Sequence, residues 1–127
     1  MIDTASIFLT KAEESLAGAE SEFANGRYNN CSNRCYYACY QATISALIKE
    51  GIHPRGGDQA GWAHAFVQAR FSDLINRRKL YPASMRGTLS QTLMIRQTGD
   101  YEPDPVTRTQ ARRALDRAHN FVDAIRQ

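Results

Sequence analysis

No stretch of this 127-residue chain approaches the roughly 20 consecutive apolar residues that a membrane helix needs. Its first residues, Met1 to Lys11, show no basic leader followed by an apolar run, so no secretory signal is read there. The expectation is a cytoplasmic chain with no membrane contact. Paired Glu-x-x-His motifs, which a di-iron helical bundle would require, are absent. Arg55-Gly56-Gly57-Asp58 lacks both the spacing and the lysine of a phosphate-cradling loop, and there is no Gly-x-Ser-x-Gly elbow. No alternating, strand-period run and no internal repeat occurs. Cysteine is sparse, and Cys31, Cys35 and Cys39 step by four. On a helix the outer two stand about 12 Å apart, so the three cannot close on one metal ion. Neighbouring pairs have poor disulfide geometry, which leaves small buried apolar side chains as their use. No metal and no cofactor is expected.

Apolar residues at 43% and charged ones at 23% are globular values, and the length suits one domain, residues 1–127. Arginine outnumbers lysine thirteen to three, which matters because the guanidinium fork fits phosphates and carboxylates. Charge is unevenly spread. Residues 1–26 hold five acids and one base, a balance of −4, which leaves +7 on the remainder. A solvated basic face and a nucleic-acid surface both fit that bias.

The hydrophobic period is helical throughout. Helix one should run from a cap at Asp3 or Thr4 to Asn25-Gly26, burying Ala5, Phe8, Ala12, Leu16, Ala19 and Phe23. A loop from Gly51 to Gly61 precedes a third helix facing inward with Ala63, Phe66, Val67, Arg70 and Leu74, ending in Arg77-Arg78-Lys79. A shorter helix after Pro82 turns Met85, Leu89 and Leu93 inward and is expected to stop at Gly99. Asp104-Pro105 reads as a capping carboxylate with proline at the first helical position of the last helix. That helix buries Ala111, Ala114, Ala118, Phe121, Val122 and Ile125, with Arg108, Arg112, Arg117 and His119 outward. The fold class is all-α, an up-and-down bundle of four main helices with one additional short helix.

Helix two, from about Asn29 to Glu50, is apolar or aromatic nearly all the way round. Such a helix is central or is covered by a second subunit. Cys31, Cys35, Ala38, Ala42 and Ser45 make a stripe of small side chains that lets another helix approach closely. Asn30, Arg34, Tyr37 and Gln41 make a polar stripe. Polar groups on a mostly buried helix need partners, because an unpaired buried donor costs roughly 1–3 kcal/mol. The stripe is therefore either a satisfied internal network or a site.

Two segments carry a resemblance to a known family. One is Gly26-Arg27-Tyr28 running on to Arg34-Cys35-Tyr36-Tyr37-Ala38. The other is Arg96-Gln97-Thr98-Gly99-Asp100-Tyr101-Glu102, followed by a final helix ending Ala118-His119-Asn120-Phe121-Val122. Together they resemble the HEPN family, small helical proteins often paired with minimal nucleotidyltransferases. The resemblance implies a homodimer and, in many members, a metal-independent endoribonuclease that serves as a toxin in toxin–antitoxin pairs. Active members carry an Arg, a polar residue and, a few positions on, a His. Arg96 matches the Arg and Gln97 the polar neighbour, but Asp100, Tyr101, Glu102 and Pro103 follow with no His. Metal-free cleavage needs a group that exchanges a proton near neutral pH. The catalytic candidates are then Arg96, Asp100 and Tyr101, with His64 able to bring an imidazole from elsewhere. Arg34, Tyr37 and His64 are candidates for binding RNA or a nucleotide. The first reading is a module acting with a nucleotidyltransferase partner or holding nucleotide or RNA, in a toxin–antitoxin or defence-type system. The alternative is a ribonuclease toxin. Asp100 is expected to reach Arg96 or Arg34 where the chain turns at Gly99.

Overall fold

The computed structural model describes residues 3–57 and 61–127. Asp58, in the expected loop, lies outside the described residues. Those residues form five α-helices and a 3-10 turn, with no strand among them. Helix α1 spans Thr4–Ala24, and the Asp3 carboxylate accepts the Ala5 N–H at 3.1 Å, as its position before an apolar stripe implies. Helix α2 spans Tyr28–Lys49. Both end in the same way. Gly26 and Gly51 each take φ +74°, and the next residue donates its N–H back to a carbonyl five residues earlier, Arg27 to Glu22 and Ile52 to Leu47 at 2.9 Å.

Helix α3 spans His64–Asn76. Its buried face is Val67, Phe71, Leu74 and Ile75, while Ala63 and Arg70 are exposed, so the face is rotated from the expected one. Phe71 sets it, since its ring packs on Phe121 of the last helix at 5.3 Å between centroids. After the 3-10 turn Ala83–Met85, helix α4 spans Thr88–Tyr101. It does not stop at Gly99. A Cβ at that position would lie 2.9 Å from Ser32 Oγ and 3.2 Å from Asn29 Cα, so the glycine lets α4 press against α2. Helix α5 spans Arg108–Arg126 and starts later than Asp104-Pro105 signalled. Its cap is Thr107, whose hydroxyl accepts the Gln110 N–H while the Gln110 side chain accepts the Thr107 N–H. The chain before it stays out of the helix because Val106 is buried and donates its N–H to Asn29 Oδ1 at 2.9 Å.

Helix α2 is the centre, touching every other α-helix and burying twelve of its residues against this one chain. The stripe Cys31, Cys35, Ala38, Ala42 and Ser45 is fully buried, and the three thiols are free. Helix α1 runs antiparallel to α2, since Ser45 Oγ donates to the Ala5 carbonyl at 2.7 Å and Asn30 donates to Glu22 at the other end. Helix α5 runs antiparallel to α1, with His119 paired to Glu20 and Arg126 to Glu13. Its expected inward residues are all buried, joined by Leu115. Arg108 and Arg112 face outward and cover the ring of Phe23 at 5.2 and 5.6 Å. No helix among the described residues is long and apolar enough to cross a membrane.

Candidate functional site

Four residues separate Arg96 from Asp100, and an unbroken α4 therefore sets them one turn apart on the side facing α2. Arg96 Nε donates to Asp100 Oδ2 at 3.1 Å, and Asn33 Nδ2 of α2 donates to the same oxygen at 3.4 Å. The pair forms by helical spacing; no turn at Gly99 is involved. The Arg96 guanidinium also lies over two rings of α2, 5.2 Å from the Tyr37 centroid and 5.7 Å from that of Tyr36. Arg34 covers Tyr37 at 5.4 Å, held by two donations to Asn33 Oδ1 at 2.6 and 3.2 Å. Two cations thus share one aromatic face.

The rings continue toward α3. Tyr36 stacks on Tyr40 at 5.8 Å, and the His64 ring stacks on Tyr40 at 4.8 Å and on Tyr36 at 5.5 Å. The Tyr36 hydroxyl and His64 Nδ1 are hydrogen-bonded. Position 64 opens α3, and the Ala63 backbone before it is extended, which brings the imidazole back across α2. Burial, and then the Arg96 charge, push the His64 pKa down, so the imidazole is neutral near pH 7. Burial pushes the Tyr36 phenol up, against a smaller opposing effect of Arg96, and burial likewise raises Tyr40.

Five of the six sequence candidates, Arg34, Tyr37, His64, Arg96 and Asp100, come together in this cluster. Tyr101 does not, since it is 74% exposed at the end of α4. Asn33, Tyr36 and Tyr40 belong to the cluster and were not read from the sequence. The signal for two of them was three tyrosines within positions 36–40, a density that helix amphipathicity does not need. Three of the four residues of the polar stripe of α2 have hydrogen-bond partners: Asn30 meets Glu22, Arg34 meets Asn33, and Gln41 meets Ser15 at 2.7 Å, while the Tyr37 ring lies under Arg34 and Arg96.

The cluster reaches the surface, with Arg34, His64 and Asp100 exposed, Tyr37, Tyr40 and Arg96 half-buried and Tyr36 fully buried. A cleft of about 290 Å³ near Gly26–Asn30 and another of about 330 Å³ between α3 and α4 share none of its residues. Among the described residues no group of His, Cys, Asp and Glu gathers to hold a metal ion. What the face offers is hydrogen-bond donors and aromatic surface, opposed by one carboxylate.

A sequence model of the HEPN domain matches residues 5–127, essentially the whole chain. The chain belongs to the HEPN family. No curated protein matches it. In this HEPN domain the positions that follow Arg96 in α4 hold no histidine, and the imidazole that shares the Tyr36 ring with Arg96 is His64 of α3.

Proposed function

We propose that this HEPN domain is a binding module that takes RNA or a nucleotide on the Arg34–Tyr37–Arg96–His64 face and acts with a nucleotidyltransferase partner in a toxin–antitoxin or defence-type system. The observation that carries this reading is the Arg96–Asp100 pair at 3.1 Å. A guanidinium already matched by a carboxylate has less charge to give a developing phosphorane, and works as a fixed anchor. Open aromatic surface beside two arginines suits stacking of a base with its phosphate alongside. The whole of residues 1–127 is taken as one domain, since the core draws on all five helices.

The test is incubation of the purified protein with short structured RNA in EDTA, read for binding and for cleavage. The module reading expects retention of intact RNA, weakened at least tenfold in Arg34→Ala/Arg96→Ala, each arginine contact being worth roughly 1.5–3 kcal/mol. The second reading is a metal-independent endoribonuclease, favoured by the neutral imidazole beside Arg96. Cleavage in EDTA that Arg96→Ala abolishes would establish it and displace the module.

Twelve of the 22 residues of α2 are buried within its own chain, and Tyr37, Tyr40 and Ile48 are partly so. The dimer that the family resemblance implies is proposed instead through the outer face of α4. Met94 and Tyr101, 66% and 74% exposed, stand there two turns apart. Sedimentation at tens of micromolar should give a dimer, and Met94→Glu a monomer.

A further inference from the structure

Tyr36 is fully buried, and among the described residues its hydroxyl has one hydrogen-bond partner, His64 Nδ1. The direction of that bond follows from what a buried hydroxyl needs. If Nδ1 carried the proton and donated it, the phenolic O–H would be left with no acceptor in the interior, the costly half of any hydrogen bond. If the phenol donates, both groups are satisfied. The imidazole is then the tautomer with its proton on Nε2, the nitrogen not held by Tyr36, in a residue that is exposed as a whole. We infer that Tyr36 is a positioning residue that locks His64 as a neutral Nε2–H donor. His64 thereby joins Arg34 and Arg96 in receiving an anionic, acceptor-rich group, the oxygens of a phosphate ester.

This inference rests on the proposed binding function and assigns the chemistry of that same face. It gives His64 a role opposite to that of a general base. A base must present a lone pair to the substrate, whereas in this tautomer the nitrogen left free by Tyr36, Nε2, carries a proton. The lowered His64 pKa agrees with a ring that stays neutral, and the raised Tyr36 pKa with a phenol that keeps the proton it donates. Among the described residues, the charged and titratable groups seen to act on or stack with the imidazole are Arg96 of α4 and Tyr36 and Tyr40 of α2. None of them offers a carboxylate to draw a second proton onto the ring. The ligand oxygens can belong to an RNA backbone or to a free nucleotide.

Two measurements test this. NMR of the histidine ring in the full chain, assigned with His64→Gln, reads the tautomer without any ligand. The expected result is the Nε2–H form in the native protein and a tautomer mixture in Tyr36→Phe, which leaves Nδ1 unpaired. Binding is then compared across a short single-stranded RNA, AMP, ATP and inorganic phosphate. Glutamine places an amide N–H near the Nε2 position but supplies no base. His64→Gln should therefore bind within about threefold of the native protein, and His64→Ala about tenfold more weakly. RNA favoured over AMP and ATP assigns the phosphate to a strand, and the reverse order to a nucleotide. An Nδ1–H or doubly protonated ring at pH 7.5, or His64→Gln as weak as His64→Ala, overturns the inference. Failure of every probe to bind would instead remove the binding function, and the ring tautomer would still decide the role of Tyr36.

Discussion

Toward α1, helix α2 lays the small stripe that ends in Ser45; toward α4 it lays Ser32, Asn33, Tyr36 and Tyr37. The first seam has buried small residues on both helices, alanines at 5, 12 and 19 and cysteines at 31 and 35, and its polar side chains find partners, Gln41 at Ser15 and Asn30 at Glu22. The second closes on a glycine and then opens into a charged and aromatic cluster. Stability is concentrated in the first seam and chemistry in the second. A seam made of small apolar residues tolerates little change in volume, whereas a seam ending in an open face has room for a ligand.

Four substitutions or conditions break or sharpen that contrast. Ala38→Leu should overpack the small-residue stripe and cost roughly 1–3 kcal/mol, read as a fall in midpoint at constant m-value in urea. An unchanged midpoint would mean the stripe can relax. Gly99→Ala is a test of sign. In an ordinary helix position alanine gains about 1 kcal/mol over glycine, but here its Cβ would meet Ser32 Oγ and the Asn29 backbone. The expected outcome is a net loss of about 1–2 kcal/mol. A higher melting temperature would show that α4 does not press on α2 at that point.

The third expectation concerns pH. The folded His64 pKa lies below its unfolded value, so between the two the unfolded chain binds more protons. Stability should therefore rise with pH through that window and be lost as pH falls below about 6.5, the unfolded imidazole value. His64→Gln should flatten this part of the profile, and an unaltered slope would place its origin elsewhere. The smallest effect belongs to Asp100→Asn. Its pairing with Arg96 is partly exposed, so chemical denaturation should register less than about 1 kcal/mol. The same variant removes the one carboxylate from the face and should tighten RNA binding, an outcome that links the second seam to function and leaves the first untouched.

What could be read beforehand follows the same division. The limits of α1, the centrality of α2 and the inward face of α5 follow from apolar period and capping, and the first seam is made of those signals. The second seam hid its meaning in residues with two uses. Gly99 reads as a stop because glycine loosens a free helix, yet here its lack of a Cβ lets α4 press against α2. Asp104-Pro105 carries a good cap signature, but the burial of Val106 and its bond to Asn29 move the start to the Thr107–Gln110 box. Arg96 and Asp100 were expected to meet through a turn at Gly99, and the unbroken helix pairs them by spacing instead. The role of Tyr36 was not legible, because a tyrosine on a crowded helix looks like core until its hydroxyl is seen to meet an imidazole from another element.

The bond from the Val106 N–H to the Asn29 side chain ties the connector between α4 and α5 to the first turn of α2. Gly99 touches the same residue from α4, and Val106 touches Gly99 in turn. These contacts join three chain segments, which should therefore open together. Amide protons of the last turn of α4 and of Val106 should then exchange with solvent at a common rate, and faster than those of α1 and the middle of α2. Any partner that grips the connector would slow that exchange and hold Asp100 beside Arg96, so occupancy at one end of α4 would be felt on the aromatic face without any change in its shape.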